Sequence, residues 1–277
     1  MVQTDIRWFD DWYAIEEIAP GLFGIGEPKY KWLNWNYLIV GRDRALLLDT
    51  GPGLRDITPV VASLTDKPVT ALLSHLHFDH SGNFSRFADT ALPDLPILRA
   101  CERGGLFRPT DDLYLTADAD VPWVPHAVRQ WWPMGHCIDL GGTKLEIIAT
   151  PGHSPESISL HDRERGLLLA ADFLYFGDLY GQTPGASLPE YLASAEMLHK
   201  RLGPGTLILA AHGEEGTDHA PKLSLHDLSD LAIGLRAIRD KTLPLSGRNP
   251  DRYAINKRFG LLAGPESYGS WCPRQSS

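Results

Sequence analysis

"SHLHFDH", residues 74–80, places three histidines and one aspartate within seven positions, directly behind the apolar run "VTALL" (69–73). Imidazole nitrogens and carboxylates are good ligands for zinc and its first-row neighbours. His75 and His77 stand at i and i+2, which in an extended segment turns both to one face. Asp79 and His80 follow where such a strand has to turn. Donors packed this densely suit two ions better than one, with His75 and His77 on the first and Asp79 and His80 on the second.

The local pattern around this stretch recurs. Short apolar runs end abruptly in polar residues in "RALLLDTG" (44–51), "VTALLSHLHFDH" (69–80), "KLEIIATPGHS" (144–154), "GLLLAADF" (166–173) and "GTLILAAHG" (205–213). Apolar runs without alternation read as strands buried on both faces, and a sheet of such strands needs helices outside it. The polar residues stand at the carboxyl end of each run. Strands sharing a sheet would gather those ends on one rim, where layered α/β folds place ligand sites. The same ends supply further candidate donors, His153, Asp172 and His212.

Two helices are legible. "SLPEYLASAEMLHKRLG" (187–203) opens on Ser187 with Glu190 three residues on and proline in the first turn, and it stops at Gly203. "SLHDLSDLAIGLRAIRD" (224–240) keeps helical apolar spacing. Residues 21–50 read as hairpins with a turn at Gly41-Arg42-Asp43. Residues 101–135, rich in proline, acid and tryptophan, read as a long loop with at most short helices.

Composition narrows the function. The chain has 277 residues, 43% hydrophobic and 22% charged, as globular proteins do. Its net charge of −9 comes without a basic block, which argues against nucleic acid as a partner. No apolar run approaches the roughly 18 residues of a membrane span. "MVQTDIRWFDDWY" lacks the basic start and apolar core of a signal peptide, so the expected location is cytoplasmic, without membrane association. Cys101, Cys137 and Cys272 show no CxxC spacing and read as reduced thiols. His161, His199, His219 and His226 read as surface residues. A homodimer stays open.

The strings "HLHFDHSGN", "TPGHSPESISL", "AADFLY" and "AAHG", in that order, resemble the metallo-β-lactamase superfamily over residues 20 to 215. That resemblance implies an α/β (α+β) fold, a four-layer αββα sandwich, and so two sheets in place of one. It implies a single domain over 1–277, with a core at about 20–215 and a C-terminal helix and tail over 216–277. It assigns His75, His77 and His153 to one metal, Asp79, His80 and His212 to a second, and Asp172 to a bridging position. Asp49, in "LLLDTG", would sit beneath the site and steady its ligands. Two divalent ions are implied, zinc first, although His and Asp ligands also accept manganese, iron or cobalt.

The chemistry expected of such a site is hydrolysis of a small-molecule carboxylic ester, lactone or thioester by a metal-bridging hydroxide. Asp79 would orient the attacking water. Tyr175, three residues after Asp172, would donate a hydrogen bond to the developing oxyanion, a spacing similar to that of the acyl-homoserine lactone lactonases and of an acyl-CoA thioesterase-like branch. Trp32, Trp35, Trp123, Trp131 and Trp132 are expected to line an apolar substrate pocket. Two alternatives are a β-lactam-hydrolysing enzyme and a mononuclear iron oxygenase resembling the persulfide dioxygenases. The presence of all seven donors weighs against the iron enzyme.

Overall fold

The computed structural model describes residues 5–271. Two mixed sheets dominate it. The first runs in the order Ile6–Trp8, Ala14–Ala19, Leu22–Glu27, Asn34–Val40, Ala45–Leu48, Val69–Leu72, Asp89–Pro93 and Gln130–Trp132. It is antiparallel through its first five strands and parallel thereafter. The second runs Cys137–Asp139, Lys144–Ala149, Ile158–Asp162, Leu167–Ala171, Leu207–Ala210 and Lys222–Leu223. Its one parallel pair, Leu167–Ala171 with Leu207–Ala210, is joined through the helix Leu188–Arg201.

The unbroken apolar runs form strands with both faces buried, and successive residues serve different layers. Leu46 and Leu48 enter the core between the sheets, while Ala45 and Leu47 pack outward with Val60 and Val61 of the helix Thr58–Leu64. Leu167, Leu169 and Leu209 fill the same central core, and Leu168, Ala170 and Ile208 pack outward with the helices Leu188–Arg201 and Leu225–Arg239. The result is helix, sheet, sheet, helix, with each fully buried Leu or Ile contributing roughly 1.5–3 kcal/mol.

Both expected helices form. The Ser187 hydroxyl accepts the Glu190 N–H, and a capping box joins Ser224 to Asp227. The 101–135 segment departs from a plain loop. It holds the short ribbon Glu102–Arg103 with Leu106–Phe107, the helical turn Asp111–Tyr114 capped by Thr110, and the edge strand Gln130–Trp132. A three-residue strand is too short to carry a periodic signal. The C-terminal hairpin of Asp251–Ala254 and Phe259–Ala263 pairs with Gly177–Gly181 in a third, small sheet. His161 is buried in the strand Ile158–Asp162 instead of lying on the surface, because its neighbouring strands cover it. Cys101 and Cys137 are free thiols, and Cys272 lies outside the described residues. Among the described residues no helix is long and apolar enough to cross a membrane.

Candidate metal centre

The carboxyl ends of Val69–Leu72, Lys144–Ala149, Leu167–Ala171 and Leu207–Ala210 open toward one another. The residues that follow bring His75, His77, Asp79, His80, His153, Asp172 and His212 together. Three sets of donor atoms lie within 4.8 Å of one another: His75, His77 and His153; His75, His80 and Asp172; Asp79, His80 and His212. Asp172 spans the two histidine groups. Its Oδ2 is 3.5 Å from His153 Nε2 and 3.0 Å from His212 Nε2, while its Oδ1 is 3.2 Å from His80 Nε2.

Local backbone geometry aims these groups. Asp49 adopts φ +64°, a left-handed conformation that aspartate tolerates better than most residues. Ala171 takes φ +46° immediately before Asp172, a strained turn of the kind that concentrates at functional sites. Gly152 precedes His153 at φ +149°, where a Cβ would fall 2.5 Å from the Tyr191 ring. Only glycine allows the His153 loop to lie this close to the helix Leu188–Arg201.

An outer ring of hydrogen bonds fixes four of the five imidazoles. His75 Nδ1 donates to Ser74 Oγ (2.9 Å), whose own proton goes to Asp49 Oδ2 (2.7 Å). His80 Nδ1 donates to Asp49 Oδ2 (3.1 Å), His153 Nδ1 to the Tyr180 carbonyl (2.7 Å), and His212 Nδ1 to the Trp32 carbonyl (2.8 Å). These partners place a ring proton on the outer nitrogen and turn each inner Nε2 into the cluster. His75 Nε2 and His153 Nε2 lie 3.0 and 2.9 Å from the same His77 Nδ1, which carries at most one proton and can satisfy only one of them. His80 Nε2 and Asp172 Oδ1 are buried without a hydrogen bond. Converging ring nitrogens and orphaned buried donors are what a bound cation satisfies, so the residues fit divalent metal.

Electrostatics divides the cluster. Burial, reinforced by neighbouring imidazoles, holds His75 and His77 well below the usual histidine range, and burial lowers His153. Burial also disfavours charge on His80 and His212, but Asp172 outweighs it and raises both. Asp79 and Asp172 stay ionised despite burial, because His80 and His212 face both carboxylates. One side of the cluster is therefore a neutral imidazole trio, and the other pairs two carboxylates with the two imidazoles whose charged form they favour.

A pocket of about 770 Å³ opens over the cluster, lined among others by Lys31, Trp32, Phe78, Phe176, Tyr180 and Arg258. Of the five tryptophans expected there, only Trp32 is present. Trp35 and Trp132 belong to the core between the sheets, where their area is buried by packing. Trp123 packs edge-on to Phe107 and Tyr114, and its indole donates to the Phe107 carbonyl at 3.1 Å. Trp131 lies under the Arg99 guanidinium at 4.1 Å. Tyr175 lines the pocket, but its hydroxyl donates to the Asp178 carbonyl (3.1 Å) and accepts the Tyr180 N–H (3.0 Å). Sequence reasoning missed Lys31, Tyr180 and Arg258. None stands at the end of an apolar run, and Arg258 comes from the C-terminal hairpin.

Residues 31–212 match the metallo-beta-lactamase superfamily, and the chain belongs to it. The chain is 29% identical over 240 residues to the human acyl-coenzyme A thioesterase MBLAC2, covering 77% of this chain and 85% of that protein. It is 28% identical over 188 residues to the probable metallo-hydrolase YqgX of Bacillus subtilis, covering 65% and 84%. A beta-lactamase domain protein from Burkholderia ambifaria shares the fold with TM-score 0.60 at 20% identity, over 87% of this chain and 83% of that one. The DIM-1 metallo-beta-lactamase also gives TM-score 0.60, at 12% identity over 84% and 99%.

Proposed function

We propose that this protein is a dinuclear metal-dependent hydrolase that cleaves small-molecule acyl thioesters, with acyl-coenzyme A-like compounds as the preferred class. The carrying observation is the split donor cluster, with His75, His77 and His153 on one side, Asp79, His80 and His212 on the other, and Asp172 between them. The similarity to the acyl-coenzyme A thioesterase supports the thioester over an ester or lactone.

A pair of bound divalent ions, zinc by preference, supplies an activated water near neutral pH and polarises the acyl carbonyl. The chain's own groups do the rest. Asp79, held by Asn34 Nδ2 at 3.2 Å, orients the water and receives its proton. Trp32, Phe78 and Phe176 offer apolar contact to the acyl chain. Lys31 and Arg258 are half-exposed cations at the pocket, each anchored on an acid, Asp120 at 3.2 Å and Asp227 at 2.9 Å. They suit the anionic tail of a coenzyme-like leaving group.

A hydrolysis panel on metal-loaded protein tests the reading. It compares short and long acyl-coenzyme A thioesters, neutral thioesters of the same acids, esters, lactones and a chromogenic β-lactam. Thioesters should lead, with about two zinc-like ions per chain. A β-lactam turned over best, or a single iron with oxygen uptake, would overturn it.

A further inference from the structure

We infer that Tyr180, and not Tyr175, is the phenol that donates a hydrogen bond to the scissile carbonyl oxygen as it gains charge. The inference rests on the hydrolase reading above. Both tyrosines line the pocket, but their hydroxyls are in opposite situations. The Tyr175 hydroxyl is saturated by two backbone groups, donating its proton to the Asp178 carbonyl and accepting the Tyr180 N–H. Its ring is buried with 6% exposure and stands edge-on to His212 at 5.0 Å. To reach a substrate, this phenol would have to break both bonds and leave two backbone groups unpaired, at a cost of about 1–3 kcal/mol each if they stay buried. Tyr175 is thus a positioning residue.

The residue it positions is Tyr180. Tyr180 is pinned at its N–H by Tyr175, and its carbonyl accepts the His153 Nδ1–H at 2.7 Å, so its backbone is tied to the donor cluster. Its ring stands edge-on to Trp32 at 5.8 Å, which packs the phenol against the pocket wall. Its hydroxyl makes no hydrogen bond among the described residues, and it is only partly buried within the pocket lining. A tyrosine phenol keeps its proton through the neutral range without any help from its surroundings. A fixed, protonated, uncommitted donor facing the pocket meets the requirements for stabilising developing negative charge without reorganisation. Asp178, the nearest acid in sequence, is engaged with Arg252 through both oxygens (2.9 and 3.0 Å) and does not compete for it.

The test compares Tyr180→Phe with Tyr175→Phe in metal-loaded protein. Tyr180→Phe should lower kcat for a thioester roughly 10- to 100-fold with KM little changed, and should leave metal content and melting temperature near wild type. It should also weaken binding of an alkyl phosphonate, a mimic of the tetrahedral intermediate, about tenfold by calorimetry. Tyr175→Phe should lower the melting temperature and reduce kcat less than Tyr180→Phe does. The inference falls if Tyr180→Phe keeps both kcat and phosphonate affinity within twofold, or if Tyr175→Phe shows the larger loss of both. If the wild type turns over no member of the panel, the hydrolase reading fails and takes the inference with it, whereas thioester turnover with an unaffected Tyr180→Phe overturns the inference alone.

Discussion

The donor cluster and the pocket wall above it are built in different ways. Every donor in the cluster follows an apolar strand run, and an outer partner fixes four of its five imidazoles: Ser74, Asp49, Tyr180 or Trp32. The wall draws on remote segments, with Lys31 and Trp32 from the amino-terminal hairpins, Tyr180 from the third sheet, and Arg258 from the C-terminal hairpin. Strand ends in a layered fold are rigid and close together, so they suit groups that must hold fixed distances. Hairpins and loops vary at less cost to the core, so they suit the choice of substrate. Disturbing the cluster should therefore destroy turnover on every substrate, whereas disturbing the wall should re-rank substrates.

The largest effect tests the first half of that contrast. Asp79→Ala removes a carboxylate whose oxygen lies 3.4 Å from His80 Nε2 and 3.7 Å from His212 Nε2. Turnover should fall roughly a thousandfold or more on all thioesters, as several kcal/mol of transition-state stabilisation are lost. Metal analysis should show less than full loading, and circular dichroism should show a folded chain. Full activity in this variant would break the dinuclear reading. A smaller effect is expected one layer out. Asp49 accepts from the Ser74 N–H (2.7 Å), the Ser74 hydroxyl and His80 Nδ1. An asparagine there turns an amide N–H toward groups that need an acceptor. Metal affinity of Asp49→Asn, measured by chelator competition, should drop about 10- to 100-fold.

The wall responds differently. The Arg258 guanidinium lies over the Phe176 ring at 4.0 Å with one amino group on Asp227, which also caps the helix Leu225–Arg239. Arg258→Gln should raise KM for an acyl-coenzyme A roughly fivefold, the equivalent of about 1 kcal/mol for a half-exposed charge. KM for the neutral thioester of the same acid should hold within twofold, and so should kcat on both. An equal rise on both substrates would show that Arg258 shapes the pocket and does not read charge.

The same division explains what could be read before the structure. The donors are legible because they obey two local rules at once: a strand-like run, and a ligand type immediately after it. The two-layer packing of Ala45, Leu46, Leu47 and Leu48 is legible for a related reason, since an unbroken apolar run has to satisfy two cores. The wall obeys no local rule. Tryptophan offers apolar surface to a substrate pocket, but its size equally suits a core. Trp35 shows this, lying against Gly24 and Gly26, where a Cβ would meet its ring at 3.0 and 2.6 Å. Arg258 lies nearly fifty residues beyond His212, and only the pairing of Phe259–Ala263 with Gly177–Gly181 carries it to the pocket.

Glu27 ends the strand Leu22–Glu27, a few residues before Lys31 and Trp32 of the wall, and it offers the subtlest test. It is fully buried, with Oε2 accepting from the Trp12 indole at 2.6 Å and Oε1 from Asn36 Nδ2 at 3.4 Å. Burial, aided by the charge of Asp79, lifts its pKa from 4.5 to about 8 against the lowering effect of those two hydrogen bonds. A carboxyl raised in the folded state stabilises the fold in its protonated form. That contribution is fully present below about pH 4.5 and is lost as pH rises through about 8. Glu27→Gln keeps the shape of the protonated acid and cannot ionise. Its melting temperature should therefore decline less than that of wild type between pH 5 and pH 8, by a few degrees at the upper end. Both proteins are measured at the same saturating metal concentration. The metal-ligating histidines and aspartates then contribute equally to each curve, and the difference between the curves belongs to Glu27. Parallel curves would show that Glu27 is already ionised in the fold. Some compensating positive group would then have to stand beside it.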